Sequence, residues 1–200
     1  MNPRFSKALA AATLLSATCG FSHAATCTFD SLIGPVLGPA GNGQVYIDEC
    51  GLTFTSDFLQ HWGQNDPENA DQGGATLYHS EVNPPLVVTQ TLGGSFNLTS
   101  FDLAEADNNT APAPITSVTF SYTNGVGTFT STLVLDATPG LQTFVVNQAN
   151  VSSFSLADVD FQVDNIVSTP VPEPASVALM LAGLAAFGFR LRRRLGRSAG

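Results

Sequence analysis

Apolar and polar residues alternate along most of the chain between residues 25 and 170. In Gln44 to Asp48, Val45 and Ile47 share one side; in Val118 to Tyr122, Val118, Phe120 and Tyr122 do. The same signal predicts strands over 27–33, 51–56, 85–91, 94–103, 126–136, 141–147, 151–157 and 159–167. Asn124-Gly125, between two such runs, favours the positive φ angles of a tight hairpin. Long helical periodicity is missing, so there are no crossover helices of the kind a parallel sheet needs. The pattern predicts an all-β fold: a single antiparallel β-sandwich or jelly roll over residues 25–167.

Two stretches break the alternation, one at each end. At the start, Arg4 and Lys7 precede the apolar run Ala8 to Ala17, and the small residues Ser22 and Ala24 frame a cleavage site. That order is a secretory signal peptide over 1–24, with the mature chain starting near Ala25. Cys19 admits a lipoprotein reading, against which Thr18 is a poor neighbour for a lipidated cysteine. At the other end, Pro170, Val171, Pro172, Glu173 and Pro174 form a linker (168–174) expected to continue neither helix nor sheet, because proline lacks an amide donor. Ala175 to Phe189 is uncharged and mostly apolar, and Arg190, Arg192, Arg193, Arg194 and Arg197 follow it. As a helix the run is roughly 22 Å long, short of a ~30 Å hydrocarbon core. Snorkelling arginine stems extend it. It is therefore expected to be a transmembrane helix whose arginine tail, within 175–200, stops transfer and stays cytoplasmic.

Charge sharpens this reading. Charged residues are only 12% of the chain and the formal net charge is −9, but all 7 basic residues lie at the two ends. Of the 16 carboxylates, all but Glu173 lie between residues 25 and 170. A body without fixed positive charge cannot neutralise phosphates, which excludes nucleic acid as a partner. Export leaves Cys27 and Cys50 as an even pair in an oxidising compartment, expected to form a disulfide; free thiols or a zinc site are the weaker alternatives.

The order Val171-Pro172-Glu173-Pro174, apolar helix and arginine cluster resembles the PEP-CTERM sorting signal of Gram-negative bacteria that make exopolysaccharide. The resemblance covers about the last thirty residues. It implies that a membrane-embedded exosortase recognises the Pro-Glu-Pro motif and cuts nearby. The anchor in the inner membrane would then be transient, with the ectodomain in the periplasm before it moves to the cell surface or extracellular matrix.

More loosely, Cys27-Thr28-Phe29-Asp30 and Phe161-Gln162-Val163-Asp164-Asn165-Ile166 resemble the lectin-like jelly rolls of carbohydrate-binding modules. That likeness implies neighbouring first and last strands, with Asp30 and Asp164 as ligands of a structural calcium. The residues themselves add a reason, since unpaired carboxylates favour a hard divalent cation. Asp158, Asp160, Gln162 and Asp164 share strand parity, and Asn65 to Asp71 is a second oxygen-rich cluster. Solvated acids on a face and a loop are the alternative. The expected function is a non-catalytic surface or matrix protein that binds or coats exopolysaccharide, with Trp62, Tyr46, Tyr78 or Tyr122 stacking on sugars. Neither Gly-x-Ser-x-Gly nor His-Glu-x-x-His occurs. A secreted glycan hydrolase pairing Asp48 or Glu49 with another acid is the alternative. His61 and His79 read as packing residues.

Overall fold

The computed structural model describes residues 24–31, 45–71, 73–80, 84–106, 116–157, 159–172 and 183–184. Among these residues eleven strands form: β1 (Ala25–Cys27), β2 (Val45–Glu49), β3 (Leu52–Ser56), β4 (Leu59–Trp62), β5 (Thr76–His79), β6 (Leu86–Gln90), β7 (Ser95–Glu105), β8 (Ser117–Asn124), β9 (Thr128–Val134), β10 (Gln142–Ala157) and β11 (Phe161–Val171). They join in one sheet, ordered β2-β3-β6-β10-β7-β11-β5-β4, with β1 on β11 and the β8–β9 hairpin on β10. Every pairing is antiparallel.

The all-β antiparallel expectation is met, and β10 shows how one sheet makes two layers. Its first half pairs β7, and its second half runs between β6 and β8. The register on β7 shifts twice near Asn147 and Asn150, whose φ angles are 48° and 55°. Such bulges bend a strand without ending it, so the expected strands 141–147 and 151–157 are one. The bend lets Leu52, Phe54, Leu86, Val88, Phe120, Phe154 and Leu156 face Leu77, Phe96, Leu98, Phe101, Leu103, Phe161 and Val163 in a single buried core. Phe101 stacks on Phe154 at 5.9 Å, and Phe120 lies 5.4 Å from Phe101.

Several sequence expectations need correction. The first strand stops at Cys27, because Phe29 turns the chain with a φ of 54°. β4 and β5 fall where no strand was expected. The β8–β9 hairpin forms, but Asn124 works through its side chain rather than a positive φ. Its Oδ1 accepts the N–H groups of Val126 (2.9 Å) and Gly127 (3.2 Å). Asn124→Ala should therefore cost about 1 kcal/mol, seen as a melting temperature lower by roughly 2–4 °C.

Pro170 and Val171 also depart from expectation: both are in β11, opposite Phe96 and Ser95. β1 ends opposite Ser168, so β11 has no described neighbour on that side beyond it. Proline is tolerated where a strand has an open side. Pro172 therefore emerges, exposed, at the very end of a sandwich strand. Residues 1–23, Glu173, Pro174 and the arginines at 190, 192, 193 and 194 lie outside the described residues, as does most of the expected transmembrane segment. Among the described residues no helix is long and apolar enough to cross a membrane.

The expected disulfide is not formed: Cys27 is free and buried, Cys50 free and exposed. Cys50 and Gly51 make the two-residue turn between β2 and β3, with φ angles of 53° and 78°. That left-handed position sends the Cys50 thiol to the Thr26 carbonyl at 3.6 Å, beside Cys27 but not bonded to it. Burial above all, then the neighbouring Cys50, pushes the Cys27 thiol far above the usual range.

One topological fact bears on function. β1 and β11 are antiparallel neighbours, with Ala25 opposite Ser168. Ala25 and the exit towards the Pro-Glu-Pro motif therefore lie side by side at one end of the sandwich.

Candidate functional site

The β5–β11–β7 part of the sheet has an inner and an outer face. Leu77, Val163 and Leu103 lie in register on the inner side, and Tyr78, Gln162 and Ala104 on the outer. The segment 63–75 closes over that outer face, held by two amide side chains. Gln162, fully buried, accepts from the Ala70 N–H (2.8 Å) and the Thr76 hydroxyl (2.7 Å), and donates to the carbonyls of Glu68, Glu105 and Ala106. Asn69 donates to the carbonyls of Gly63, Asp71 and Gly74 and accepts from the Asp71 N–H. Hydrogen bonding on this scale gives an irregular segment a fixed shape.

Under this cover sits Asp164, with Asp71 in the segment itself and Asp30 exposed beside it. Asp30 and Asp164, expected to be neighbours, are brought together, and Asp71 from the loop joins them. Asp30 Oδ1 accepts the Ala75 N–H at 2.8 Å, and Asp71 Oδ1 accepts the Gly73 N–H at 2.9 Å. The two carboxylates crowd Gly74 so closely that a Cβ there would collide with Asp30 Oδ1 and Asp71 Oδ2. Asp164 is 0% exposed, and neither of its oxygens has a hydrogen-bond partner. Directly across the ladder is Asp102, whose Oδ2 accepts from the Asn165 side chain at 2.9 Å. Asn165 reaches it from a left-handed bulge position, φ 48°. Burial first, then the charges of Asp71, Asp30 and Asp102, push the Asp164 pKa up to about 8; the nearby Asn165 backbone opposes this in part. No group of three or more His, Cys, Asp or Glu among the described residues is placed so that it could hold a metal ion. What the structure provides is a buried carboxylate lacking a partner, beside two more acids whose carboxylates close in on Gly74.

Next to the acids, on the same outer face, is an aromatic strip. Trp62 and Tyr78 stack at 4.5 Å with an interplanar angle of 7°, and Phe58 meets Tyr78 edge-on at 6.1 Å. Tyr78 and Phe58 are half-buried, while Trp62 is 5% exposed and serves mainly as backing. Ser80 and Asp160 reach the Tyr78 hydroxyl. Of the four aromatics expected to face a sugar, Trp62 and Tyr78 thus come together. Tyr122 instead continues an internal row, stacking on Phe120 and Phe129. The Tyr46 and Asp48 side chains and Asp158 lie outside the described residues.

His61 and His79 pack, as expected. His79 stacks on Phe161 at 5.1 Å and its Nε2 meets the Pro84 carbonyl at 2.8 Å; burial lowers its pKa. His61 is buried beside Leu77's strand. Glu49 accepts from the Ser31 hydroxyl at 2.7 Å and from the Cys50 thiol.

Comparison with known proteins places the C-terminus first. Residues 170–194 match the PEP-CTERM protein-sorting motif. The chain is therefore that of an exported protein sorted by an exosortase, built on an all-β body. No curated protein matches it. One solved structure similar to it is that of the CBM22-1–GH10 modules of Clostridium thermocellum endo-1,4-β-D-xylanase 10B complexed with xylohexaose. The identity is 12% and the TM-score 0.40, with 76% of this chain covered. This chain spans 29% of that one, well under a third of its length.

Proposed function

We propose that the chain is a non-catalytic passenger of the cell surface or extracellular matrix, which binds or coats exopolysaccharide. It is made with a signal peptide and held for a time in the inner membrane by its arginine-flanked C-terminal segment, with the body in the periplasm. An exosortase then cuts it free. The adjacency of Ala25 and Ser168 supports this route, because both attachments leave the same end of the sandwich and the other surfaces are free to face away from the membrane.

The observation that carries the binding role is the Phe58–Tyr78–Trp62 strip, an aromatic surface with the Asp160 and Ser80 oxygens at its rim. Ring faces pack on the apolar faces of sugars while rim oxygens take their hydroxyls. Nothing favours hydrolysis in the same way. Asp164 is shut off from solvent, and Glu49 is engaged by Ser31 and Cys50.

The reading includes a structural calcium ion bound through Asp30 and Asp164, with backbone or water oxygens completing its shell, because no three acidic, His or Cys side chains among the described residues are grouped to hold a metal by themselves. A hard cation taking carboxylate oxygens suits acids with no basic neighbour, and Asp164 has the unused oxygens. Its role is to neutralise the group and fasten segment 63–75 to β11, and with it the backing of the aromatic strip.

The test of binding is retention of the released protein on immobilised exopolysaccharide from its own source. Tyr78→Ala should cut retention by about fivefold, since one lost ring stack is worth roughly 1 kcal/mol. Retention of the unaltered protein no better than that of an unrelated acidic protein would remove the binding role.

A further inference from the structure

The sheet has exposed edges, and they are unequally protected. β4 is only four residues long, and β2 carries Asp48 and Glu49. Short length and charge are the usual means of keeping an edge from pairing with another chain. β9 has neither. Thr128-Phe-Thr-Ser-Thr-Leu-Val134 is seven residues of strand-favouring type, without charge or proline. Its ladder to β8 runs unbroken from Ser117↔Val134 to Thr123↔Thr128, so no bulge twists it away. Among the described residues β9 pairs only β8. The whole stretch from 116 to 135 lacks a charged residue, in a body otherwise rich in acids.

Apolar surface collects at the same place. The internal aromatic row Phe154–Phe120–Tyr122–Phe129 runs outwards from the core and ends at β9, where Phe129 is 42% exposed. Val134 and Val126 are exposed beside it. The strand is also nearly symmetrical about its centre. Turned by a two-fold axis through Ser131, it would set Thr130 opposite a second Thr132, and Phe129 opposite a second Leu133. Phe129 and Leu133 lie on the same, core-facing side as Tyr122 and Val118, so the rotation sets the exposed Phe129 of each copy against the half-buried Leu133 of the other.

We propose that β9 pairs antiparallel with β9 of a second copy of this chain about a two-fold axis at Ser131, joining two sandwiches through one continuous layer. Such a self-matching contact closes as a dimer. The absence of carboxylates from both edges lets two acidic bodies approach, with their remaining charges screened beyond ~8–10 Å. This deepens the reading of the protein as a coat, but its test involves no polysaccharide, so the two can fail separately.

Cross-linking of the membrane-held form and of the released, shortened form tests it. Residues opposite each other in an antiparallel pair have Cα atoms about 4.5–5.5 Å apart, within reach of a disulfide. Ser131→Cys, an exposed position, should give a covalent dimer under mild oxidation, well above the wild-type background set by Cys50. Leu92→Cys, 96% exposed on another turn, should stay at that background. Adding Thr132→Lys to Ser131→Cys should abolish the cross-link, with an unchanged circular dichroism spectrum. A Ser131→Cys chain that stays monomeric, or cross-links no more than Leu92→Cys, overturns the proposal.

Discussion

Replacing Pro172, Glu173 and Pro174 together with alanine leaves the protein full length and in the membrane, while the unaltered chain is shortened and released. The effect is expected to be all or none, because the substitution removes what the sorting enzyme reads and leaves the apolar segment and its arginines in place. The sandwich should not notice the change. β11 is complete at Val171, and Pro172 is already exposed beyond the last ladder partner. Proteolysis and melting of the altered body should match those of the original. Immunoblotting of membrane and released fractions reads the outcome, and normal release of the triple variant would contradict the assignment of 170–194 as the working signal.

Calcium at pH 8.5 should raise the melting temperature of the processed protein. One ion binding only the folded state contributes about 2.7 kcal/mol at a hundredfold excess over its Kd. For a body of this size that is a rise of roughly 5–11 °C. Asp164 gives the sign of the pH dependence. Its pKa in the folded protein is about 8, against 3.8 for an ordinary aspartate. Between those values the folded chain holds a proton that the unfolded chain has lost. Without calcium, stability should therefore fall as pH rises from about 4 to about 8, by at most ~1.4 kcal/mol per unit from this one group, and level off above. Calcium competes with that proton, so its benefit should grow over the same range.

Two variants separate the contributions to this effect. Asp164→Asn should flatten the pH dependence and remove most of the calcium response. Gly74→Ala, whose Cβ would force the Asp30 and Asp71 carboxylates apart, should weaken the calcium response but keep the pH dependence of Asp164. Melting that ignores calcium at every pH, with the pH dependence still lost in Asp164→Asn, would mean that a proton alone neutralises the group.

Much of this molecule is legible in its alternation of apolar and polar residues. β3, β6, β7, β8 and β11 lie close to their expected positions, because each has one buried face and enough length for a period of two to register. β4 and β5 escape because Leu-Gln-His-Trp and Thr-Leu-Tyr-His are too short for a period and bury histidines on the core side. The joining of 141–147 with 151–157 depends on two asparagines in left-handed positions, which locally look like turns. Pro170 reads as a strand breaker until it is known that β1 has ended beside it.

The site divides in the same way. Asp30 and Asp164 can be paired only through the resemblance to lectin-like jelly rolls, which implies neighbouring first and last strands. Asp71 cannot, because its place depends on Gln162 reaching across to Ala70, Glu68 and Thr76, contacts between residues far apart in the chain. Strand parity rightly put Gln162 and Asp164 on one side, but that side is covered by segment 63–75 rather than solvated. The stacking of Trp62 on Tyr78 likewise requires the β4–β5 pairing, which no local pattern announces.

The most direct measurement is the intact mass of the protein from the membrane and from the released fraction of the same cells. The account predicts a membrane form that has lost residues 1–24 and keeps Arg190 to Arg197, and a released form that has also lost the segment beyond the Pro-Glu-Pro motif. A released protein that still carries the arginine tail, or a chain found only in the cytosol with its first residues intact, would contradict it.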